Sequence, residues 1–153
     1  MSAAVAVREA EAADFERWLP LWQGYNAFYG RSGATALADA ITQIAWARFF
    51  DPAEPVHALV AERGGALLGL AHYLYHRSTI MIAPICYLQD LYTVEAARGQ
   101  GVGRALIEAV YAHAQAAGST RVYWQTQETN ATARALYDKL AQRSGFIVYR
   151  HDL

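Results

Sequence analysis

The stretch that most restricts how this chain can fold runs from Ile85 to Ala117. It opens with a strand-like apolar segment, "ICYLQDLYTV", passes into "RGQGVGR", and continues as a run with helical spacing. Gly99, Gly101 and Gly103 fall at alternate positions in the joint. Each glycine loses more backbone freedom on folding than any other residue would. A turn alone needs one or two, so the excess implies that a ligand comes close to bare backbone. The order strand, loop, helix also puts these glycines at a helix N-terminus. There the first amides lack intrahelical acceptors and the dipole is positive, which suits an anion.

Two phosphate-binding patterns are excluded by the letters. A Walker loop requires G-x-x-x-x-G-K-[ST], and the only lysine of the chain is Lys139. A dinucleotide fingerprint requires G-x-G-x-x-G. Counting from Gly99 the third glycine falls on Arg104, and from Gly101 on Leu106.

The rest of the chain supplies the elements around this joint. Residues 3–8 form a strand candidate. Helices are predicted over 14–29, with Asp14 as N-cap and Pro20 breaking or bending it early, and over 35–50, with Leu37, Ile41 and Ile44 on one face. "VHALVAER" and "ALLGLAHYLYHR" flank Gly64-Gly65 as a hairpin. Beyond the helix over 101–117 come a strand at "RVYWQT", a helix over 130–143 and a last strand at "GFIVYRH". Such alternation predicts a mixed sheet with helices packed on its faces.

With 153 residues, 54% of them apolar, and no low-complexity segment, one domain with a full core is expected over 1–153. The net charge of -1 gives no support to a nucleic-acid surface. The longest apolar stretch, about nine residues broken by Pro84, is well short of the ~20 that span a bilayer. The N-terminus lacks the plan of a signal peptide, so a cytoplasmic protein without membrane contact is expected. Cys86 lies in an apolar run and reads as a buried thiol.

"RGQGVG" resembles the R-x-x-G-x-G/A loop of the GCN5-related N-acetyltransferase (GNAT) family. "YLQDLYTVEAARGQGVGRALIEAVYAHA" looks like that family's fourth strand, loop and third helix. "YWQTQETNATARALYDKL" looks like its fifth strand and next helix, with an asparagine near the helix start and a tyrosine seven residues later. Over about 85–151 the likeness is closest to a small branch that acetylates histone tails and polyamines. The resemblance implies an α/β fold with a mixed, mainly antiparallel central sheet flanked by helices on both faces. It implies an acetyl-CoA-dependent N-acetyltransferase that uses no metal.

On the same basis the pyrophosphate of acetyl-CoA is expected on Gly99, Gly101 and Gly103, with the amides of Gln100, Val102 and Arg104. Arg98 occupies a motif position. The backbone of Leu91, Tyr92 and Thr93 would pair with the pantetheine arm. Asn130 matches the family's cofactor-binding asparagine and is also a good N-cap. Tyr137 is the catalytic candidate, because the departing thiolate needs a proton that a phenol can give.

The base is less defined. Polyamine-acetylating relatives carry Leu-Glu-Asp where this chain has Leu88-Gln89-Asp90, and Gln89 cannot act as a base. Strict alternation puts Asp90 on the opposite face of the strand from Gln89. Glu128, His72 and His76 are further candidates. Cys86 has no local base pattern, which favours direct transfer within a ternary complex over a covalent route. The acceptor is expected to be a primary amine, with a polyamine or protein lysine favoured. The alternatives are a small-molecule amine such as an amino acid or antibiotic, or a non-catalytic acyl-CoA-binding module. Trp18, Trp22, Tyr25, Phe28, Tyr29 and Trp46 form an aromatic stripe that reads as core or as an amine-binding wall. The final strand offers an edge through which a homodimer would form.

Overall fold

Gly64 and Gly65 sit at φ +59° and +81°, the left-handed pair that a two-residue hairpin turn demands. In the computed structural model, which describes residues 3–153, they join β2 (Val56–Arg63) to β3 (Ala66–His76). With β1 (Ala6–Glu9), β4 (Ile85–Thr93) and β5 (Val122–Tyr123) these strands form one sheet in chain order. β1 to β4 pair antiparallel, and β5 joins β4 in parallel.

Alternate strand residues feed two cores, because successive side chains point to opposite faces. Leu59, Ala71, Tyr73 and Cys86 pack under α3 (Val102–Ala116), against Val102, Leu106 and Val110. Val60 and Leu70 pack on the other face, against Trp18 and Leu21 of α1 (Phe15–Phe28) and Trp46 of α2 (Asp39–Arg48). α4 (Ala131–Leu140) follows β5. The expected mixed, mainly antiparallel sheet with helices on both faces is therefore present.

Several sequence expectations are corrected. α1 runs through Pro20 without interruption. Pro20 lies in its second turn, beyond the first-turn positions where proline costs little, and the helix persists because Trp18 and Leu21 are buried around it. Asp14 occupies the N-cap position of α1 but makes no side-chain cap hydrogen bond. Its buried carboxylate instead accepts from Arg8 and Arg17 and from the Glu11 amide. α2 is shorter than the predicted 35–50, and it buries Thr42 and Trp46 while Ile41 and Ile44 stay about half exposed. The strand at "RVYWQT" shrinks to Val122–Tyr123, and "GFIVYRH" forms no strand within the chain. Residues 141–153 run as an exposed extension beyond α4.

Candidate active site

β4 and β5 touch only at their starts, where Cys86 faces Val122 and Tyr87 faces Tyr123. Further along, Leu88–Thr93 keeps β3 as its only strand partner. A bare strand edge offers amides and carbonyls at regular pitch to any extended, amide-bearing molecule. The parting is bounded by this edge on one side and by the chain leading to α4 on the other. Leu91 packs into the α3-side core, while Tyr92 packs toward α1. A Cβ on Gly24 of α1 would stand 2.5 Å from the Tyr92 hydroxyl, so only glycine lets the two meet.

At the end of β4 the chain turns through the glycine loop into α3. Gly99 and Gly101 have φ of +76° and +83°, and a Cβ on either would meet nothing within 4 Å. These glycines serve backbone conformation and leave open space in front. Gly103 differs: it has ordinary helical backbone, and a Cβ there would lie 3.3 Å from the Leu136 side chain of α4. Gly101 is the N-cap of α3 and provides no side-chain cap, which leaves the Val102, Gly103 and Arg104 amides without an intrahelical acceptor. The first helical bond there runs from the Ala105 amide to the Gly101 carbonyl. Open space before uncapped amides fits an anionic group such as a pyrophosphate.

The side chains around the loop take varied roles. Arg98 donates from Nε to the Thr93 carbonyl at 3.2 Å, with its guanidinium over the Tyr92 ring. Gln100 donates to the Ala96 carbonyl, and Arg104 pairs with Glu108 along the helix. Arg104 therefore offers the loop its amide rather than its charge. Asn130 caps α4 by accepting from the Ala133 amide at 3.3 Å. Tyr137, on the same helix, meets Trp124 edge-on with ring centres 5.4 Å apart. Burial, with a smaller contribution from Tyr29, pushes the Tyr137 phenol up to about 12. It stays protonated at neutral pH and has its O–H available to donate.

The largest departure from the sequence reading is at Asp90. The β3–β4 register slips by one residue: His72 faces Asp90, yet Tyr73 faces Leu88, so Gln89 is the extra residue of a bulge. Without it Asp90 would point under α3. With it, Asp90 lies on the α1 face, where Oδ2 sits 2.9 Å from His72 Nδ1. His72 Nε2 accepts from the Trp18 indole N–H at 3.1 Å. Nδ1 therefore carries the proton and donates to Asp90, which leaves His72 no nitrogen with which to act as a base.

The aromatic stripe divides between core and wall. Trp18 and Trp46 are core, whereas Tyr25 and Tyr29 stand near Asp90. Burial first and Asp90's charge second hold both phenols above their ordinary range. Arg31 lies over both rings, 6.0 and 5.6 Å from their centres, and donates from Nε to Asn26 at 2.7 Å. Tyr29 is close enough to raise the Tyr137 phenol and to be raised by Asp90, so Asp90, Tyr25, Tyr29 and Tyr137 share one neighbourhood. The sequence reading set Asp90 aside on strict alternation and missed Arg31 and Gly24, since no residue pattern announces a bulge or a helix crossing.

Other candidates are placed away from this chemistry. His76 is half-buried, with its two ring nitrogens engaged by the Arg77 carbonyl and the Tyr123 hydroxyl. Glu128 is exposed in the turn before α4. Burial pushes the fully enclosed Cys86 thiol up to about 11, which removes it as a nucleophile at neutral pH.

A strand edge left bare beside a β-strand parting, an anion cradle at its end and a half-buried phenol on α4 fit an acyl-thioester-using transferase. The match of residues 8–141 to the model of the acetyltransferase (GNAT) family makes this specific: the chain belongs to the GNAT family and is an acetyl-CoA-dependent N-acetyltransferase. It is 36% identical over 151 residues to the D-amino-acid N-acetyltransferase HPA3 of Saccharomyces cerevisiae, covering 97% of this chain and 91% of that one. An uncharacterized N-acetyltransferase of Bacillus subtilis, YhfO, is 28% identical over 145 residues, covering 94% of each. Among solved structures, AAC(6')-Iy in complex with a CoA-acetylneamine bisubstrate analog superposes with a TM-score of 0.83. That alignment covers 99% of both chains at 15% identity, so it bears on the fold.

Proposed function

We propose that acetyl-CoA lies in the parting between β4 and β5 and that a primary amine reaches it from the hollow around Asp90. The pyrophosphate would sit on the Gly99–Arg104 backbone, including the Gln100, Val102 and Gly103 amides. The pantetheine arm would follow the edge at Leu91, Tyr92 and Thr93. Arg98, beside the loop, and the side-chain NH2 of Asn130 would add polar contacts. The observation that carries this reading is the bulge at Gln89, which brings a carboxylate into the neighbourhood that Tyr137 shares.

The chemistry follows from these groups. An alkylammonium, with an ordinary pKa of about 10, is attracted by Asp90 and by the faces of Tyr25 and Tyr29. It gives up a proton through Asp90, and the nitrogen lone pair attacks the thioester carbonyl. The carbon–sulfur bond breaks, the new amide nitrogen sheds its second proton to solvent, and the thiolate departs hydrogen-bonded to the Tyr137 O–H. A thiol has a pKa of about 8.5 and this phenol about 12, so complete transfer is uphill by roughly 5 kcal/mol. Tyr137 therefore acts chiefly by donating a hydrogen bond as charge builds on sulfur.

Acceptors with a long cationic chain, a polyamine or a protein lysine, suit the carboxylate and the aromatic wall. A second reading, an amino acid, is favoured by Arg31, whose guanidinium overlies the same tyrosines and would pair with a carboxylate. The name of the yeast relative supports this second reading. Thiol release from acetyl-CoA with spermidine, lysine peptides, D- and L-amino acids and aminoglycosides decides among them. Stimulation by one class identifies the acceptor. Cofactor binding without stimulation by any amine refutes the proposed acceptor site.

A further inference from the structure

The bulge at Gln89 also decides which side chains Asp90 has for neighbours. Cys86 and Leu88 pack in the α3-side core, so Tyr87 between them points to the α1 face. In a regular strand Asp90, an odd number of residues further on, would point the other way. The bulge brings it onto the face of Tyr87. Val122 also belongs to the α3-side core, which turns Tyr123 to the α1 face beside its register partner Tyr87. Burial first, then Tyr123, Asp90 and Tyr29, raise the Tyr87 phenol, so these groups lie close together.

Tyr87 and Tyr123 stack, with ring centres 4.9 Å apart and planes 23° from parallel. Tyr123 is exposed and Tyr87 half-buried. His76 fixes the outer ring. Its Nδ1 lies 2.9 Å from the Arg77 carbonyl, which can only accept. In the neutral imidazole Nδ1 therefore carries the proton, and Nε2 accepts the Tyr123 O–H at 2.8 Å. The lone pairs of the Tyr123 oxygen are left for another donor. Tyr25, Tyr29 and Tyr92 each have an arginine over the ring, whereas no arginine or lysine lies over Tyr87 or Tyr123 among the described residues.

We propose that the Tyr87–Tyr123 pair is a subsite for the far end of a long aliphatic amine whose near end is acetylated beside Asp90. This rests on the reading of Asp90 as part of the acceptor site, and it names a polyamine-like chain with a second ammonium as the occupant. Stacked rings offer a flat apolar surface to methylenes and a negative face to an ammonium. The free lone pairs of Tyr123 accept one of the ammonium's N–H groups. Arg31 lies over the α1 tyrosines, so a chain running toward β5 leaves that guanidinium behind. A short monoamine ends before the pair and gains nothing from it.

Steady-state thiol release with propylamine, spermidine, spermine and a lysine peptide, in the wild type, Tyr123→Leu and Tyr123→Phe, tests this. The wild type is expected to show a lower KM for spermine than for propylamine. Tyr123→Leu keeps apolar bulk in the strand and removes the π face. It should raise the KM for spermine roughly 3–30-fold and leave kcat/KM for propylamine and KM for acetyl-CoA unchanged. Tyr123→Phe keeps the ring, so its KM for spermine should fall between the two. Equal losses for propylamine and spermine in both variants would make Tyr123 a structural residue and overturn the subsite. So would spermine kinetics that ignore Tyr123→Leu, or a loss confined to the lysine peptide. Propylamine turnover without any preference for longer amines removes the subsite and leaves the acceptor site standing. Absence of turnover with every amine, propylamine included, removes both.

Discussion

His72 Nδ1 lies 2.9 Å from Asp90 Oδ2 while His72 Nε2 accepts from the Trp18 indole at 3.1 Å, so one imidazole is fixed at both ends. The arrangement orients a carboxylate rather than activating a histidine. Trp18 and Cys86 are fully enclosed and His72 nearly so, so the strands on which the pair sits are among the most rigid parts of the molecule. Asp90 is thereby held still at the edge of the acceptor hollow, as a group that receives a proton should be.

Asp90→Asn keeps an acceptor for the His72 N–H and removes the charge. It is expected to lower kcat/KM for the amine ~10²-fold or more while acetyl-CoA affinity is unchanged. Stopped-flow thiol release and calorimetric titration read the two quantities. Wild-type turnover in this variant would remove Asp90 from the chemistry.

Tyr137→Phe is expected to lower kcat ~10²-fold, with little change in KM for acetyl-CoA. Because the phenol is pushed up to about 12, it remains protonated through the usual assay range. Any alkaline fall in rate below about pH 10 should therefore persist in the variant. The sign for stability is fixed as well. The neutral phenol's contribution is complete below pH ~10 and fades as pH rises from there through 12. A pH–rate profile for both proteins checks the first point and alkaline melting the second.

How much of this was legible in the sequence depends on the kind of contact. The hairpin at Gly64-Gly65, the core strands and α3 follow from local periodicity and turn chemistry. The glycine loop was legible too, although the letters pointed to ligand approach at all three positions, whereas Gly99 and Gly101 serve left-handed backbone and Gly103 lies against Leu136. Asp90 was not legible. Its face depends on one extra residue in a ladder formed with β3, and the letters around Gln89 are the same with or without a bulge. The strand expected at "GFIVYRH" does not form, and residues 146–150 stay exposed, because propensity does not say whether a sheet edge lies within reach.

Gly101→Ala separates backbone conformation from packing in the loop. Gly101 has φ +83°, so alanine there is expected to cost about 1–2 kcal/mol and to weaken acetyl-CoA binding. Gly103→Ala meets only the mobile end of Leu136 at 3.3 Å and should cost less. Melting temperatures compared with and without acetyl-CoA rank the two. The reverse order would mean that Gly103 is the position closest to the ligand.

Asp14 controls acid stability. Its carboxylate, 1% exposed, accepts from Arg8 through two nitrogens and from Arg17. The Arg8 bonds are the chief cause that holds it well below the ordinary carboxylate range, against the opposing effect of burial. A depressed carboxylate stabilises the fold above its unfolded pKa of about 3.9 and loses that contribution as pH falls below it. Asp14→Ala removes the buried carboxylate and leaves Arg8 and Arg17 partly exposed with Glu62 as partner, and is expected to cost about 1–3 kcal/mol at pH 7. The gap between variant and wild type should narrow below pH ~4. Urea titrations at pH 7 and pH 3 measure both.

Arg31 decides between the two acceptor readings. Its Nε is committed to Asn26, and its terminal nitrogens have no hydrogen-bond partner among the described residues. A guanidinium so placed beside the tyrosines near Asp90 repels the second amine of a polyamine and attracts a carboxylate one or two bonds from the reacting nitrogen. If the acceptor is an amino acid, Arg31→Ala should raise its KM ~10–100-fold, the worth of one charged hydrogen-bonded pair. The same variant should leave spermidine turnover unchanged or improve it, because a like charge has been removed. A polyamine acceptor gives the opposite pattern: no amino-acid activity in either protein, and a lower KM for the polyamine in the variant. Steady-state kinetics on two substrates in two proteins thus assigns the acceptor class, and equal effects on both substrates would place Arg31 outside the acceptor's reach.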